Sequence, residues 1–245
     1  RDLHSFPTRR SSDLQANPDI RVYVHERGAP HVLDPSKLIN SANQLWGVEG
    51  VARLWGSTLP VPESKITVLR GGEKLDVVGR LFDVAYTPGH ATHHVSYFDR
   101  SARLAWVGDT VGVRFSDVLF SLPPTPPPDI DVEAWYGSLA AIRRWNPETL
   151  FVTHCGAYGQ ARAHLDQYEQ SLRHTVDLAR RVFESGESED AKAARFVAEV
   201  EQYVYGAVPR DHRDGLRRGL MVLADADVVL DAYVEALGVL ADEDD

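Results

Sequence analysis

The sequence predicts an α+β fold, and three observations carry that prediction. Short β-branched and aromatic runs recur between residues 20 and 107, separated by turn residues. Apolar residues at helical spacing then dominate around 135–145 and 160–183, and a helical tail follows. Imidazole and carboxylate side chains, His90, Asp109 and His154, stand where three of the strands end.

Arg1 to Leu14 has a local positive balance unlike the rest of the chain and neither a helical nor a strand period. It resembles a translated sequencing-adaptor segment, so residues 1–14 are expected to be a foreign or disordered segment outside the fold. Ile20–Val24 alternates and is β-branched, the pattern of a strand, and Gly28-Ala29-Pro30 turns the chain after it. Asp34 is placed to cap a helix whose first position is Pro35 and which runs to about Leu45 or Trp46. From Gly47 to Leu59 the sequence reads as a loop with aromatic anchors, Trp46 and Trp55.

Ile66–Leu69 is a short strand turned by Gly71-Gly72, and Lys74 to Tyr86 holds material for one or two more, with a turn near Gly79. Val95–Phe98 and Leu104–Val107 are joined tightly through Asp99-Arg100-Ser101. Such a hairpin places His90 and Asp109 on its two flanks, near the same edge of a sheet. The proline-rich stretch 121–131 is stiff and extended, and it serves either as a wall over the site or as a plain connector. Trp135, Leu139, Ile142 and Trp145 recur at helical spacing until Asn146-Pro147 stops the helix. Leu150-Phe151-Val152 is the strand that delivers His154, and Leu165, Tyr168, Leu172, Val176 and Val182 line one face of a helix from Gln160 to Phe183. The expected domains are 15–183 for the main body and 184–245 for a C-terminal helical extension.

Formal net charge is −10, which argues against nucleic acid or an anionic membrane as the main partner, because phosphates reward clustered Lys and Arg. A run of about 18 apolar residues, the length a membrane span needs, is absent from the sequence. Cys155 is the single cysteine, which excludes an intramolecular disulfide and fits a cytoplasmic location. The partner expected on these grounds is a small-molecule substrate.

Zinc takes neutral imidazole and carboxylate, and a catalytic site keeps one position open for water. Each of His90, Asp109 and His154 also has an ordinary use, as a turn residue, a helix cap or a core histidine, and it is their joint occurrence at three strand ends that favours a metal. His93 and His94 open a strand, so they face opposite sides. His94, four residues after His90, is the one placed to support a ligand or touch substrate, while His93 is expected to be exposed. His164, His174 and His212 fall on helices, and the surface is the default expectation for them.

Thr87-Pro88-Gly89-His90, Gly108-Asp109-Thr110 and Thr153-His154-Cys155-Gly156, in that order and spacing, are similar to the third, fourth and fifth ligand motifs of the metallo-β-lactamase superfamily. The resemblance covers about residues 17 to 183. It implies an αββα sandwich with two divalent metal ions, zinc or else iron or manganese, at one edge between the sheets. It also implies that His90 binds the first metal, that Asp109 bridges both as the catalytic carboxylate, and that His154 binds the second. The implied activity is a hydrolase whose metal-bound hydroxide attacks an ester, thioester or lactone carbonyl.

The sequence departs from the family in one respect. None of its ten histidines has a His-x-His neighbour, so the signature His-x-His-x-Asp-His is missing. The expectation is therefore an N-terminally truncated fold lacking its first strands, with weak or partial metal binding and little or no hydrolysis. The alternative is a non-catalytic scaffold acting in binding or assembly through the helical tail, which could cap the pocket or supply a homodimer surface.

Overall fold

The structure is a computed structural model, and it describes residues 17, 19–56, 58–114, 118–124, 130–153 and 156–212. The expected foreign segment at 1–14 and the end of the helical tail, 213–245, lie outside the described residues. The described chain divides into two compact units, one ending at Glu73 and the other beginning at Lys74.

The first unit holds strand β1 (Val22–His25), helix α1 (Ala29–Leu33), helix α2 (Ser36–Trp55) and strand β2 (Ile66–Leu69). β1 and β2 pair in parallel, Val22 opposite Ile66 and His25 opposite Leu69. The expected turn at Gly28-Ala29-Pro30 is instead the entry to α1, with proline in its first turn, where its missing N–H costs nothing. Asp34 does accept from the Ser36 N–H at 3.0 Å, although Pro35 rather than Asp34 occupies the cap position of α2. The loop expected from Gly47 onward is a correction: the chain stays helical to Trp55, broken only at Gly47, whose φ of 70° and ψ of 159° kink the helix. One glycine leaves the helical region and its neighbours re-enter it. The side chains of Trp46 and Trp55, expected as anchors, lie outside what the structure describes.

The second unit is built on a six-stranded sheet. Its strands are β3 (Lys74–Val77), β4 (Arg80–Tyr86), β5 (Val95–Asp99), β6 (Leu104–Gly108), β9 (Thr149–Val152) and β10 (Gly156–Tyr158). The order across the sheet is β10-β9-β6-β5-β4-β3, antiparallel throughout except for the parallel pair β6 and β9. The expected hairpin is present, with Tyr97 opposite Trp106 and Asp99 opposite Leu104. Asp99 shapes its turn: one carboxylate oxygen accepts from the Ser101 hydroxyl and from the Ser101 and Ala102 N–H groups, and the other from Arg80. The Ser101 hydroxyl first, and then the backbone N–H of Ala102, holds this carboxyl far below the usual carboxylate range.

Between β6 and β9 the chain makes a two-stranded ribbon, β7 (Val113–Arg114) with β8 (Ser121–Leu122), and helix α3 (Val132–Trp145). Asp131 caps α3 by accepting from the Ala134 N–H at 2.8 Å, and Asn146 ends it in the left-handed region. Helix α4 (Ala161–Phe183), helix α5 (Glu189–Ala207) and a short 3-10 turn at Arg210–His212 follow. One face of the sheet, with Phe98, Ala105, Val107, Leu150 and Val152, packs on Trp135, Leu139 and Ile142 of α3 and on Leu165, Tyr168 and Leu172 of α4. These residues are buried and belong to the apolar core of the second unit. Among the described residues, no helix is long and apolar enough to cross a membrane.

Candidate functional site

His90 leaves the end of β4 on a loop that α3 holds from behind. The Asp131 N–H donates to the Gly89 carbonyl at 3.0 Å, and the Ser138 hydroxyl donates to the Pro88 carbonyl at 2.6 Å. Gly89 has φ of 129°, and a Cβ built there would lie 2.4 Å from Trp135 Cβ, so loop and helix can meet this closely only at glycine. Asp109 leaves the end of β6 across the hairpin, in a turn closed by Thr110 N–H to the Val107 carbonyl at 3.1 Å. Trp135 joins the two loops. Its Nε1 donates to the Thr110 carbonyl at 2.7 Å, and its ring lies edge-on to the His90 ring, centroids 5.9 Å apart.

The result is that His90 Nε2 and Asp109 Oδ2 are 3.7 Å apart, beyond hydrogen-bonding distance. His90 Nδ1 lies 2.8 Å from the Pro124 carbonyl oxygen. A carbonyl only accepts, so Nδ1 carries a proton and donates it. In the neutral imidazole Nε2 is then the lone-pair atom, and it confronts a carboxylate oxygen. Two such atoms repel unless a proton on Nε2 or a metal ion lies between them. Two zinc ligands, each about 2.0–2.2 Å from the metal in tetrahedral geometry, stand roughly 3.4 Å apart, close to the separation here.

His94 is held differently. Its Nδ1 lies 2.8 Å from Thr87 Oγ1 and 2.9 Å from Thr110 Oγ1, and Thr87 Oγ1 is in turn 2.9 Å from Ser96 Oγ. Burial, and then the neighbouring His90 and His93, push its pKa down to about 3, so the ring is neutral at ordinary pH. Its Nε2 faces Gly108, where a Cβ would come within 2.2 Å. Gly108 also has φ of 52°. Replacing Gly108 with alanine should cost about 1–2 kcal/mol for the left-handed backbone alone, and more as His94 is displaced. Urea unfolding gives the cost, and a shifted His94 ring signal in NMR spectra would show the displacement.

His93 is exposed, and His154, the third residue of the expected ligand set, lies outside the described residues. Among the described residues, no group of three or more His, Cys, Asp or Glu side chains is arranged to hold a metal ion. The sequence placed His164 at the surface by default, and this is corrected: it is fully buried, with Nε2 donating to the Val111 carbonyl at 2.9 Å. The signal for it was helical spacing, since His164, Tyr168, Ser171 and Thr175 share the buried stripe of α4. A role for Pro124 had no residue-type signal, because its backbone carbonyl makes the contact.

The sequence model of the Metallo-beta-lactamase superfamily matches residues 12–154, a span that includes His90, Asp109 and His154. The chain belongs to this superfamily. Its members typically bind divalent metal ions. A metallo-beta-lactamase fold-containing protein, ST1585 of Sulfurisphaera tokodaii, is 32% identical over 120 residues, 47% of this chain and 44% of the relative. The chain therefore spans less than half the length of that curated relative. Among solved structures, an archaeal metallo-beta-lactamase superfamily protein, ST1585 from Sulfolobus tokodaii, superposes with a TM-score of 0.59 at 21% identity, covering 92% of this chain and 74% of the other. A metallo-beta-lactamase family protein from Thermus thermophilus, TTHA1429, gives 0.57 at 17% identity, covering 90% and 67%. At these identities the structures speak for the fold, which is the mixed α+β metallo-beta-lactamase fold with a helical region at its C-terminal end.

Proposed function

We propose that His90 and Asp109 are part of the metal-holding site of a hydrolase that acts on an ester, thioester or lactone carbonyl. One observation carries the reading: His90 Nε2 and Asp109 Oδ2 face each other at 3.7 Å, too far for a hydrogen bond, while His90 Nδ1 is turned to the Pro124 carbonyl on the opposite side. His90 and Asp109 would hold a divalent metal, with His154 the further donor. A metal bound there would supply an activated water nucleophile and polarise the carbonyl oxygen. The chain's own contribution is orientation: Pro124 holds one side of the imidazole, Trp135 ties both loops, and neutral His94 lines the same end of the hairpin without adding charge.

We also propose that the chain as it stands hydrolyses little, because it has no His-x-His-x-Asp-His segment to complete the donor set. The test begins with source DNA sequenced across the junction at Gln15. Recovery of that motif upstream, followed by zinc-dependent ester or lactone hydrolysis by the restored protein but not by the present chain, is the expected result. A native reading frame without the motif, and no hydrolysis by its product, would leave a non-catalytic scaffold.

A further inference from the structure

The carbonyl that orients His90 belongs to no strand of the main sheet. Pro124 follows β8 on a strap that includes Phe120 and Ser121, and β8 pairs only with the two residues of β7 among the described residues. So short a ribbon has little stability of its own. The two C-terminal helices hold it. Gln167 on α4 grips Ser121: its Oε1 accepts from the Ser121 N–H at 2.8 Å and from the Ser121 hydroxyl at 3.1 Å. Its Nε2 donates to Ser171 Oγ at 2.7 Å, and Ser171 Oγ lies 3.2 Å from the Tyr203 hydroxyl on α5. The Tyr203 ring stacks on His174 at 3.8 Å and packs on Phe120 of the strap at 5.5 Å. Phe120 and Leu122 share a buried apolar cluster with Val204 and Val208.

We propose that α5 is a positioning element for His90: Tyr203, Ser171 and Gln167 hold the strap so that the Pro124 carbonyl accepts from His90 Nδ1 and leaves Nε2 as the lone-pair atom facing Asp109. The inference rests on His90 being a metal ligand and gives the helical tail a part in that site. The connection is stiff. Only Leu122 and Pro123 separate Ser121 from Pro124, and the two prolines fix their φ angles, so the placement of Ser121 passes to the carbonyl with little slack. A histidine that donates its far N–H to a fixed carbonyl presents its other nitrogen to a metal in one orientation. With the strap released, the imidazole is free to carry its proton on Nε2 and donate it to the Asp109 carboxylate, which closes the position a metal would take.

The test reads the His90 tautomer in the metal-free full chain, by long-range proton–nitrogen correlation on protein labelled with ¹⁵N-histidine. The His90 signal is identified by its loss in His90→Gln. At a pH above the imidazole range, the expected wild-type signal has Nδ1 protonated and Nε2 bare. Gln167→Met, which removes the polar grip at similar volume, should move His90 to a mixture of tautomers or to the Nε2-protonated form while the His164 signal stays in place. Gln167→Glu keeps an acceptor for the Ser121 N–H and should restore much of the wild-type form. Tyr203→Phe, which deletes one hydroxyl at the far end of the relay, should give a smaller shift in the same direction and serves if Gln167→Met does not fold. A wild-type His90 protonated on Nε2, or an unshifted His90 signal in the folded variants, would overturn the proposal. An unshifted His90 signal in the folded variants overturns the role of the strap alone and leaves the metal-binding reading standing, whereas a wild-type His90 protonated on Nε2 counts against both. Failure of the chain to bind zinc with the tautomer as expected would remove that reading alone.

Discussion

Replacing Trp135 with alanine is expected to destabilise the protein by about 3–5 kcal/mol, the range for removing a large aromatic from a packed core. Trp135 is fully buried and packs on Tyr168 as well as on the His90 ring. Its Nε1 holds the Thr110 carbonyl, one residue beyond Asp109, and its Cα and Cβ fill the space left by the missing Gly89 side chain. One side chain thus supports both loops of the site. Trp135→Phe separates the two contributions: it keeps most of the apolar contact and leaves the Thr110 carbonyl without its donor, at a cost of about 1–3 kcal/mol. Urea unfolding followed by circular dichroism measures both variants. A loss under about 1 kcal/mol for Trp135→Ala would mean that the helix does not support the loops as described.

Stability should also fall steeply in mild acid. Burial holds the His164 pKa at about 4, against 6.5 for the free side chain, with the Val111 carbonyl opposing the shift and Arg114 adding to it. A folded-state pKa below the unfolded value means that the unfolded chain takes up the proton first. The full stability is therefore present above pH 6.5 and drains away as pH falls towards 4. A shift of this size corresponds to about 3 kcal/mol. His94, also held neutral by burial, loses stability from the same upper limit and continues to about pH 3. The Asp99 contribution disappears only below the ordinary aspartate value of 3.8, so its acid limb starts lower. His164→Gln, which keeps an N–H for the Val111 carbonyl, should flatten the slope between pH 6.5 and 4 without abolishing it. An unchanged slope in that variant would contradict the assignment.

The hairpin that brings His90 and Asp109 together was legible because two short apolar and aromatic runs, each with a valine, are joined by a short polar turn and leave one sensible pairing. The stripe of α4 and the stop of α3 at Asn146-Pro147 were legible for similar reasons, since the apolar period and the helix breaker are both written in residue types. The continuation of α2 beyond Gly47 was not, because a single glycine marks a kink as readily as an end. Burial of His164 was present in the spacing but was outweighed by the usual exposure of polar residues on helices. The grip of Pro124 on His90 was legible only in part: the proline-rich stretch offered a wall over the site as one of two uses, but a main-chain carbonyl 34 residues away has no residue-type signature.

The most direct measurement is calorimetric titration of zinc into the chain and into three variants, His90→Gln, Asp109→Asn and His93→Gln. The account predicts weak binding by the wild type. It predicts losses greater than about tenfold in the first two variants, since removing even an outer partner of a metal ligand costs that much. Exposed His93→Gln should bind as the wild type does. Equal binding by wild type, His90→Gln and Asp109→Asn would show that the 3.7 Å pair is an ordinary polar contact and that the metal reading is wrong.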